Sequence, residues 1–304
     1  MNQTAFFNGR TVLVTGASGF IGEHLCVRLK SLGALVHGVS RHARDEEYVS
    51  RWWQADLDDE AATRKLVRAV KPDLVFHLAS FVSGKREREY VLPALRSNLL
   101  TTVNLLLAAT ESRCKRVVLT GSLEEPEGDF ADAVPTSPYA AAKGASSLYA
   151  RMFNALYGLS VVTARLFMVY GPNQKDRSKL IPYVTLSLLA EEVPRLMSGT
   201  REVDWIYVGD VIDAYLALAM AQGIDGQTID VGSGQRVSVR DVVEQLCGII
   251  QSGSAPEFGG MQDRPMERVR TADTAQAASL TGWEPRTSLL EGLRRTVAWY
   301  RDNP

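Results

Sequence analysis

An apolar stretch near the start of the chain runs directly into a glycine-rich turn. Residues 11–15 read Thr-Val-Leu-Val-Thr, Gly16, Gly19 and Gly22 follow at three-residue spacing, and residues 23–32 are amphipathic with a helical period. Glycines allow a tight turn, and the free N–H groups at the start of the next helix attract anions. An ordinary strand-to-helix turn can carry the same glycines. Strand, turn and helix in this order are nevertheless the context of a dinucleotide site, so a nucleotide-binding βα unit is expected.

Strands and helices continue to alternate after this unit. Short apolar runs predict strands, and the helical periods between them predict helices. The predicted strands cover residues 11–15, 34–40, 74–79, 116–121 and 161–167, and the predicted helices cover 58–70, 96–112 and 138–157. This alternation favours an α/β fold, a doubly wound parallel sheet of the Rossmann type.

The pattern changes after Gly171 and Pro172. Further helices are predicted over 179–192, 239–251 and 289–300, and a strand over 228–232 returns to the parallel sheet. We therefore expect two domains. The nucleotide-binding domain comprises residues 1–172 with 206–234, and a smaller C-terminal α/β substrate-binding domain comprises 173–205 and 235–304.

The composition argues against several classes of protein. The chain has 304 residues, 45% of them apolar, a formal net charge of −1, three cysteines and four histidines. The near-neutral charge provides no field that would attract nucleic acid or an anionic membrane. The scattered cysteines and histidines lack the spacing of a metal or redox site, and the cysteines are typical of a reducing compartment. No stretch reads as a signal peptide or a membrane span, so a cytoplasmic protein is expected.

Tyr139 and Lys143 stand four residues apart in the segment Ser-Pro-Tyr-Ala-Ala-Ala-Lys-Gly. On a helix this spacing places both side chains on one face. Lowering the pKa of a tyrosine from about 10 to about 7 requires roughly 4 kcal/mol of preference for the phenolate. One unit charge at about 4.5 Å, with an effective dielectric constant of about 20, supplies roughly 3.7 kcal/mol. The pair therefore predicts a tyrosine that exchanges protons near neutral pH, although many such pairs on surface helices do nothing.

These motifs together resemble the extended short-chain dehydrogenase/reductases of the NAD(P)-dependent nucleotide-sugar epimerase/dehydratase type. Thr-Gly-Ala-Ser-Gly-Phe-Ile-Gly at residues 15–22 is similar to the cofactor turn of that family, and Tyr139 and Lys143 match its Tyr-x-x-x-Lys motif. Further matches follow in the family's order at residues 56–57, 76–80, 98–106, 165–172, 204–210, 231–234 and 264–265. The resemblance covers nearly the whole chain and implies an enzyme that acts on a nucleotide sugar.

The resemblance also implies which residues form the site. Ser122 would hold the reacting oxygen, Tyr139 would exchange its proton, and Lys143 would lower the pKa of Tyr139 while holding the nicotinamide ribose. The implied cofactor contacts are Gly16, Ser18, Gly19, Phe20, Ile21, Gly22, Ser40, Arg41, Asp56, Leu57, Leu78, Ala79, Ser80, Asn98, Tyr139, Lys143 and Leu166. The implied substrate contacts are Met168, Leu180, Arg201 and Arg264. A homodimer through the helices near 97–112 and 138–157 is implied as well.

The end of the second strand bears on which nicotinamide cofactor is bound. Sites for NAD usually place a carboxylate there, where it binds the ribose 2′-hydroxyl. This strand ends at Ser40 and Arg41 instead, and both side chains can donate hydrogen bonds to a 2′-phosphate. Arg41 could equally stack on the adenine or face water. We therefore expect NADP(H), with NAD as the alternative.

The segment Ser122-Leu123-Glu124-Glu125 bears on the reaction. In the family that the chain resembles, 4,6-dehydratases have a glutamate at the position of Glu124, which removes the C5 proton. They commonly have an acid just before it, whereas Leu123 cannot donate a proton. The segment also resembles the 4-keto-6-deoxy-sugar reductases, so hydride transfer at sugar C4 by a nucleotide-4-keto-6-deoxyhexose reductase is expected. A 4-epimerase, a 4,6-dehydratase with recycled cofactor and a non-catalytic NADP-binding sensor are the alternatives.

The substrate half of the chain departs from the family's pattern. Met168 stands where an asparagine is usual, and it cannot make the hydrogen bonds of that amide. Val203 replaces the arginine expected before Asp204, and Arg201 is a nearby candidate for the phosphate contact. We therefore expect the cofactor half of the site to follow the family and the substrate half to differ from it.

Overall fold

The computed structural model describes residues 2–126, 133–261 and 269–303, and these residues form two compact units. The first unit contains the described residues of 1–166, 212–230 and 276–283. The second contains those of 167–211, 231–275 and 284–304. The expected boundaries between the two domains were at residues 172, 206 and 234, whereas the boundaries between the two units follow residues 166, 211 and 230. The units also differ from the expectation at residues 276–283, which belong to the first unit and were expected in the second domain.

The two units together contain the following strands and helices. In chain order the strands of the described residues are β1 (Thr11–Thr15), β2 (Leu35–Ser40), β3 (Arg51–Gln54), β4 (Leu74–His77), β5 (Arg116–Ser122), β6 (Val161–Leu166), β7 (Met168–Tyr170), β8 (Arg195–Leu196), β9 (Glu202–Tyr207), β10 (Thr228–Val231), β11 (Arg236–Ser238) and β12 (Glu257–Phe258). The helices are α1 (Gln3–Phe7), α2 (Phe20–Ser31), α3 (Glu60–Val70), α4 (Val91–Ala94), α5 (Thr101–Ser112), α6 (Pro138–Tyr157), α7 (Leu180–Leu189), α8 (Val208–Met220), α9 (Val239–Ile250), α10 (Thr274–Thr281) and α11 (Leu289–Asp302). A 3₁₀ turn at Arg88–Tyr90 precedes α4, and a π-helical segment at Leu95–Leu100 joins α4 to α5.

The central sheet has seven strands in the order β10-β6-β5-β4-β1-β2-β3. β1 pairs in parallel with both β2 and β4, so the chain winds outward from β1 in two directions. The prediction of a doubly wound α/β fold is confirmed, and each predicted strand of this sheet agrees within two residues. β3 was not predicted, because Arg51–Gln54 is a short edge strand without an apolar run. The strand order reverses between β1 and β4, which is where ligands bind in such sheets.

Local sequence explains where α6 begins and ends. Ser137 caps the helix by accepting a hydrogen bond from the Ala140 N–H at 3.1 Å. Pro138 occupies the first turn, where its missing N–H is not needed. The helix ends at Gly158, whose φ of +65° suits a left-handed C-cap. These signals place the helix over Pro138–Tyr157, as predicted.

The longest helical stretch near the site runs from Arg88 to Ser112. By length and composition alone this stretch could cross a membrane, and it is the one stretch among the described residues that could. A core helix passes the same test, and 44% of its most apolar window is buried within the protein. Leu105 and Leu106 are fully buried in the cluster that packs this helix against the sheet. Burial in the core therefore accounts for the second half of the stretch, whereas Val91, Leu92 and Leu95 in its first half are exposed.

The second unit has a sheet of its own in the order β11-β9-β7. Its core combines side chains from these strands with side chains from α7, α9 and α11. Asp204 on β9 is buried and accepts hydrogen bonds from the Ser233 N–H and hydroxyl, the Gly234 N–H and the Ala272 N–H, at 2.7 to 3.0 Å. Asp204 therefore fixes two loops of this unit.

Candidate active site

The turn between β1 and α2 is shaped to hold an anion. Gly16 has a φ of +68°, and a Cβ on it would come within 2.7 Å of the Ala79 nitrogen. A Cβ on Gly22 would collide with the Gly16 carbonyl oxygen. Gly19 caps α2 without a side-chain hydrogen bond, because glycine has no side chain to make one. These features fit a dinucleotide, whose pyrophosphate is bound by such a helix start; Ser18, Phe20 and Ile21 lie in the same turn.

The region at the end of β2 is open to solvent. Arg41 is exposed, and no ion pair engages it within the described part of the chain. The Ser40 hydroxyl accepts a hydrogen bond from the His42 N–H at 3.2 Å, and Gln54 donates to the Arg41 carbonyl at 3.1 Å. The strand end carries Ser40 and Arg41, where a site for NAD usually has a carboxylate. The side chains of Ser40 and Arg41 are therefore available to a ligand.

Asp56 and Leu57 follow β3 and differ in environment. Leu57 is 5% exposed and belongs to the apolar core, while its carbonyl accepts hydrogen bonds from Asn104 at 3.0 Å and from Thr63 at 3.2 Å. Asp56 is exposed and accepts a hydrogen bond from the Asp58 N–H at 3.3 Å. Of the two residues predicted to contact the adenine, Asp56 has the more accessible side chain.

His77 at the end of β4 is a buried, neutral residue. Its Nδ1 lies 2.7 Å from the Thr15 hydroxyl, and its Nε2 lies 3.1 Å from the Thr102 hydroxyl. Burial, aided by the charge of Lys143, lowers the pKa of His77 to about 3. Thr102 donates its own proton to the Asn98 carbonyl, so the bonding pattern assigns the histidine proton to Nε2. His77 therefore ties β4 to β1 and α5 and is not a base.

Asn98 in the π-helical segment holds the loop that follows β4. Its Oδ1 accepts hydrogen bonds from the Ser80 hydroxyl at 2.7 Å and the Phe81 N–H at 2.9 Å. Its Nδ2 donates to the Phe81 carbonyl at 3.1 Å, and the side chain is almost fully buried. The amide predicted to contact the cofactor is thus engaged with the protein itself, and Asn98 positions Ser80. Leu78 and Ala79 precede Ser80, and both donate backbone N–H hydrogen bonds to Thr15.

Ser122, Tyr139 and Lys143 meet at the carboxyl end of β5. The side chains of Ser122 and Ser80 lie close to the Tyr139 hydroxyl. Lys143 is one turn further along α6, and its Nζ donates to the Thr120 carbonyl at 2.8 Å. The Nζ lies 5.9 Å from the centroid of the Tyr139 ring. Two hydroxyls and a buried ammonium are therefore grouped at the strand end, as the spacing in the sequence suggested.

The electrostatics of Tyr139 differ from those expected. Burial, opposed by the hydrogen bond from Ser122, raises the pKa of Tyr139 to about 12. Burial also lowers the pKa of Lys143 to about 8, with the charge of Glu125 acting in the opposite direction. The prediction that Lys143 brings the pKa of Tyr139 toward 7 is wrong for the protein alone, because Lys143 is itself desolvated and donates to Thr120. Tyr139 is therefore protonated at neutral pH and can donate a proton.

The loop after β5 places three side chains in three environments. Leu123 is 8% exposed, and its N–H donates to the carbonyl of Leu166, a predicted cofactor contact that is itself buried. Glu124 is half-buried, and its Oε2 accepts a hydrogen bond from the Thr136 hydroxyl at 3.4 Å. Glu125 is 4% exposed and points into the protein toward Ser122. Glu125 was not among the predicted site residues. In the structure its carboxylate lies so close to Gly121 that a Cβ at that position would collide with it.

The predicted substrate contacts belong to the second unit or lie outside the described residues. Met168 begins β7 and pairs with Trp205 on β9, and Leu180 begins α7 and packs against the core of its unit. The Arg201 carbonyl accepts a hydrogen bond from the Val239 N–H at 2.9 Å. Arg264 lies outside the described residues. Their contact with a substrate stays a prediction. No group of three metal-ligating side chains occurs among the residues that the structure describes.

The fold and this site define an NAD(P)-dependent enzyme with a serine, a tyrosine and a lysine at the end of the central sheet. The model of the NAD dependent epimerase/dehydratase family matches residues 12–232, and the chain belongs to that family. The resemblance stated from the sequence is confirmed, and so is the prediction of an enzyme.

Relatives with different reactions match nearly the whole chain. The chain is 30% identical to a UDP-glucose 4-epimerase of Mycolicibacterium smegmatis, over 95% of this chain and 98% of the relative. It is 29% identical to a probable dTDP-glucose 4,6-dehydratase of Sinorhizobium fredii, over 96% and 93%. Among solved structures, MoeE5 in complex with UDP-glucose and NAD is 31% identical and has a TM-score of 0.83, over 96% of this chain and 99% of MoeE5. The family is therefore one of NAD-dependent nucleotide-sugar epimerases and dehydratases, and a 4-keto reductase is not among these three relatives.

Proposed function

We propose that the chain is a nucleotide-sugar 4-epimerase that acts on a UDP-hexose through hydride transfer at C4. The observation that carries this proposal is the grouping of the Ser122 and Tyr139 hydroxyls beside Lys143, with Leu123 next in the loop. A 4-epimerase needs to hold and deprotonate one hydroxyl and then reprotonate the same oxygen. The UDP-glucose relatives favour UDP as the nucleotide of the substrate.

A full dehydration requires more than this cluster offers. Elimination of water needs a base for the C5 proton and an acid for the leaving hydroxyl. Glu124 is half-buried on the correct loop and could serve as the base. Leu123 stands where the acid is needed, and the carboxylate of Glu125 turns inward to the Ser122 N–H at 2.8 Å. Reversible oxidation at C4 is therefore the simpler chemistry for these residues.

The residues of this chain would act in the following way on a bound sugar. The Ser122 hydroxyl and the Tyr139 oxygen would both hydrogen-bond the C4 oxygen. As the phenolate, Tyr139 would accept the C4 hydroxyl proton when C4 is oxidised and return it when C4 is reduced. This requires a positive charge beside the phenol that lowers the pKa of Tyr139 from the value of about 12 that it has in the protein alone. Lys143, protonated below about pH 8, would donate to the ribose of the cofactor and keep positive charge near the phenol. The chemistry that a nicotinamide cofactor would supply here is reversible hydride transfer at C4. Asn98 keeps Ser80 beside Tyr139 throughout.

A second candidate is a 4-keto reductase that consumes NADPH, which was the activity preferred from the sequence. The observation in its favour is the end of β2, where Ser40 and the exposed Arg41 stand in place of a carboxylate. A 2′-phosphate would be held there by charge-assisted hydrogen bonds. A reductase releases its oxidised cofactor after each turnover, whereas an epimerase regenerates it.

One assay separates the two candidates. UDP-glucose is incubated with the purified protein without added cofactor, and the sugar nucleotides are separated by chromatography. Formation of UDP-galactose supports the epimerase, and its absence together with NADPH consumption on a UDP-4-keto-6-deoxyhexose supports the reductase. Tyr139→Phe should abolish either activity, whereas Tyr149→Phe, an exposed tyrosine of the same helix, should not. Activity that persists in Tyr139→Phe would contradict both candidates.

We also propose that two copies of the chain associate through α4 and α6. An apolar groove of about 640 Å³ lies between these helices, with Val91, Leu95 and Ala145 among its lining residues. Leu148 on α6 is also exposed, at 41%. Leu95→Glu should shift the mass measured by light scattering from dimer to monomer, whereas Val27→Glu on α2 should leave it unchanged. A monomeric wild-type protein would refute this proposal.

A further inference from the structure

Two adjacent serines of α6 are buried one turn beyond Lys143. Ser146 is 7% exposed and Ser147 is 5% exposed. Their spacing from Tyr139 and Lys143 places all four side chains on one face of the helix. Serine is usually exposed and is only a moderate helix former, so neither apolar packing nor helix propensity accounts for a buried pair of serines. The hydrogen bonds of their hydroxyls give the reason.

Ser147 joins α6 to the loop after β5. Its hydroxyl lies 3.0 Å from Glu125 Oε2, and Glu125 Oε1 accepts a hydrogen bond from the Ser122 N–H at 2.8 Å. Burial raises the pKa of Glu125. The bond to Ser147 forms whether or not the carboxyl is protonated, because a hydroxyl can both donate and accept. Two successive hydrogen bonds therefore connect α6 to the main chain of Ser122.

Ser146 joins α6 to the π-helical segment. Its hydroxyl is shared between the Asn98 carbonyl at 3.0 Å and the Ala142 carbonyl of its own helix at 2.8 Å. The Asn98 carbonyl also accepts a hydrogen bond from the Thr102 hydroxyl at 2.6 Å. The side chain of Asn98 in turn accepts a hydrogen bond from the Ser80 hydroxyl at 2.7 Å. Ser146 therefore connects α6 to the residue that fixes the loop after β4.

These two links lead to the two loops that bring hydroxyl groups to Tyr139. Ser122 lies on the loop after β5 and Ser80 on the loop after β4, and both side chains lie close to the Tyr139 hydroxyl. Bonds from one helix to two different elements restrict both its sliding and its rotation. Proton exchange tolerates little displacement, since an error of about 1 Å can cost on the order of 10²-fold in rate. Supporting bonds of this kind keep a reactive group in place.

We propose that Ser146 and Ser147 are positioning residues that set the register of α6 against the loops after β4 and β5. Neither serine touches a reacting atom, and both act through the position of Tyr139. The contribution of Ser147 is the larger one. Ser147→Ala removes the hydroxyl that bonds Glu125, whereas Ser146 shares its proton with its own helix and the Asn98 carbonyl keeps the Thr102 hydroxyl. The inference rests on the proposed function only in giving Tyr139 the proton exchange.

The position of the phenol can be measured by NMR without any sugar or cofactor. The protein is labelled with carbon-13 at the tyrosine Cζ, which bears the hydroxyl, and the signal that disappears in Tyr139→Phe belongs to Tyr139. Ser147→Ala should shift or split this signal, and Ser146→Ala should shift it by less. Ser112→Ala is the matched control, because Ser112 on α5 donates to the Ala109 carbonyl of its own helix at 3.1 Å. The control should leave the signal in place. An unchanged signal in Ser147→Ala, or a larger shift in Ser146→Ala, would overturn the inference.

Turnover separates positioning from a purely structural role. Under conditions where all variants are folded, Ser147→Ala should lower kcat by about tenfold and Ser146→Ala by about threefold. The KM and the dissociation constant of NAD should stay nearly unchanged, because neither serine lies in the glycine turn. Folded Ser147→Ala with the wild-type kcat would contradict the inference even if its urea midpoint falls. If the wild type does not convert UDP-glucose, the proposed function fails, and the Tyr139 signal alone decides the inference.

Discussion

The end of β5 and the end of β2 differ in how firmly their functional side chains are held. At β5, Ser122 and Lys143 are buried and hydrogen-bonded to the backbone, and the half-buried Tyr139 lies beside them. At β2, Arg41 is exposed, and the contacts around it involve its carbonyl and not its guanidinium. Buried and bonded groups define a reaction, because every alternative geometry would leave a polar group without a partner. Exposed groups can be exchanged at little cost, so the choice of cofactor is the more variable property.

The largest expected effect follows from removing the phenol at the buried end. Tyr139→Phe should reduce turnover by roughly 10²–10⁴-fold, because the variant lacks the group that is proposed to exchange a proton with the C4 oxygen. Dinucleotide affinity should be nearly unchanged, since Lys143 and the glycine turn remain. The rate and the dissociation constant are measured on the same preparation, with Tyr149→Phe as the control. A loss of less than fivefold would show that β5 does not define the reaction.

The next effect concerns Lys143 and pH. The pKa of Lys143 is lowered to about 8 in the folded protein, whereas an unfolded lysine titrates near 10.5. Between these values the unfolded chain binds more protons than the folded chain, so stability should rise with pH. The free energy of unfolding of the wild type, minus that of Lys143→Met, should increase by roughly 2 kcal/mol from pH 8 to pH 10.

Activity should move in the opposite direction over the same interval, because the proposed contact with the ribose requires the cationic form of Lys143. The urea midpoint and the turnover rate are therefore followed together from pH 7 to pH 10. A turnover rate that rises in parallel with stability would contradict the role given to the ammonium.

A smaller loss of stability is expected from Asn98. Asn98→Ala leaves the Ser80 hydroxyl and both backbone groups of Phe81 without their partner, which should cost about 1–3 kcal/mol of folding free energy. Asn98→Asp retains the acceptor, but it buries a carboxylate and turns a second oxygen toward the Phe81 carbonyl, so at neutral pH its loss should be at least as large. Denaturant unfolding of the two variants measures this order, and a clearly smaller loss in Asn98→Asp would show that the donated hydrogen bond matters little.

The smallest effect is expected at the exposed end. Arg41→Ala should weaken NADPH binding by about tenfold and leave NADH binding unchanged, because only the 2′-phosphate is held by the guanidinium. Arg44→Ala is the matched control, since Arg44 is paired with Glu46 at 3.0 Å. Equal affinity of the wild type for both cofactors would remove the argument for NADP(H) and for the reductase.

The fold and the reacting side chains could be predicted from the sequence because they follow local rules. The glycine turn, the alternation of strands and helices, and the spacing of Tyr139 and Lys143 depend on residues that are close in the chain. The strand β3 was not predicted, because this four-residue edge strand has no apolar run. The helix α10 was not predicted either, because residues 274–281 lack a clear helical period of apolar residues.

Environments could not be predicted in the same way. The pKa of Tyr139 depends on burial by distant segments, and the simple Coulomb estimate ignored that desolvation. Glu124 and Glu125 are neighbours with identical side chains, yet one lies near Thr136 and the other beneath Ser122. Which of two adjacent carboxylates turns inward is decided by the path of the loop and by the space that Gly121 leaves. Such choices become visible only in the folded chain.

The most direct test of the account uses UDP-glucose that carries deuterium at C4. The protein is incubated with this substrate without added cofactor, and the product is analysed by mass spectrometry and NMR. The account predicts UDP-galactose that retains deuterium at C4, because the hydride leaves and returns within one site. Deuterium lost to solvent, or no product from folded protein supplied with NAD, would contradict hydride transfer at C4 of a UDP-hexose.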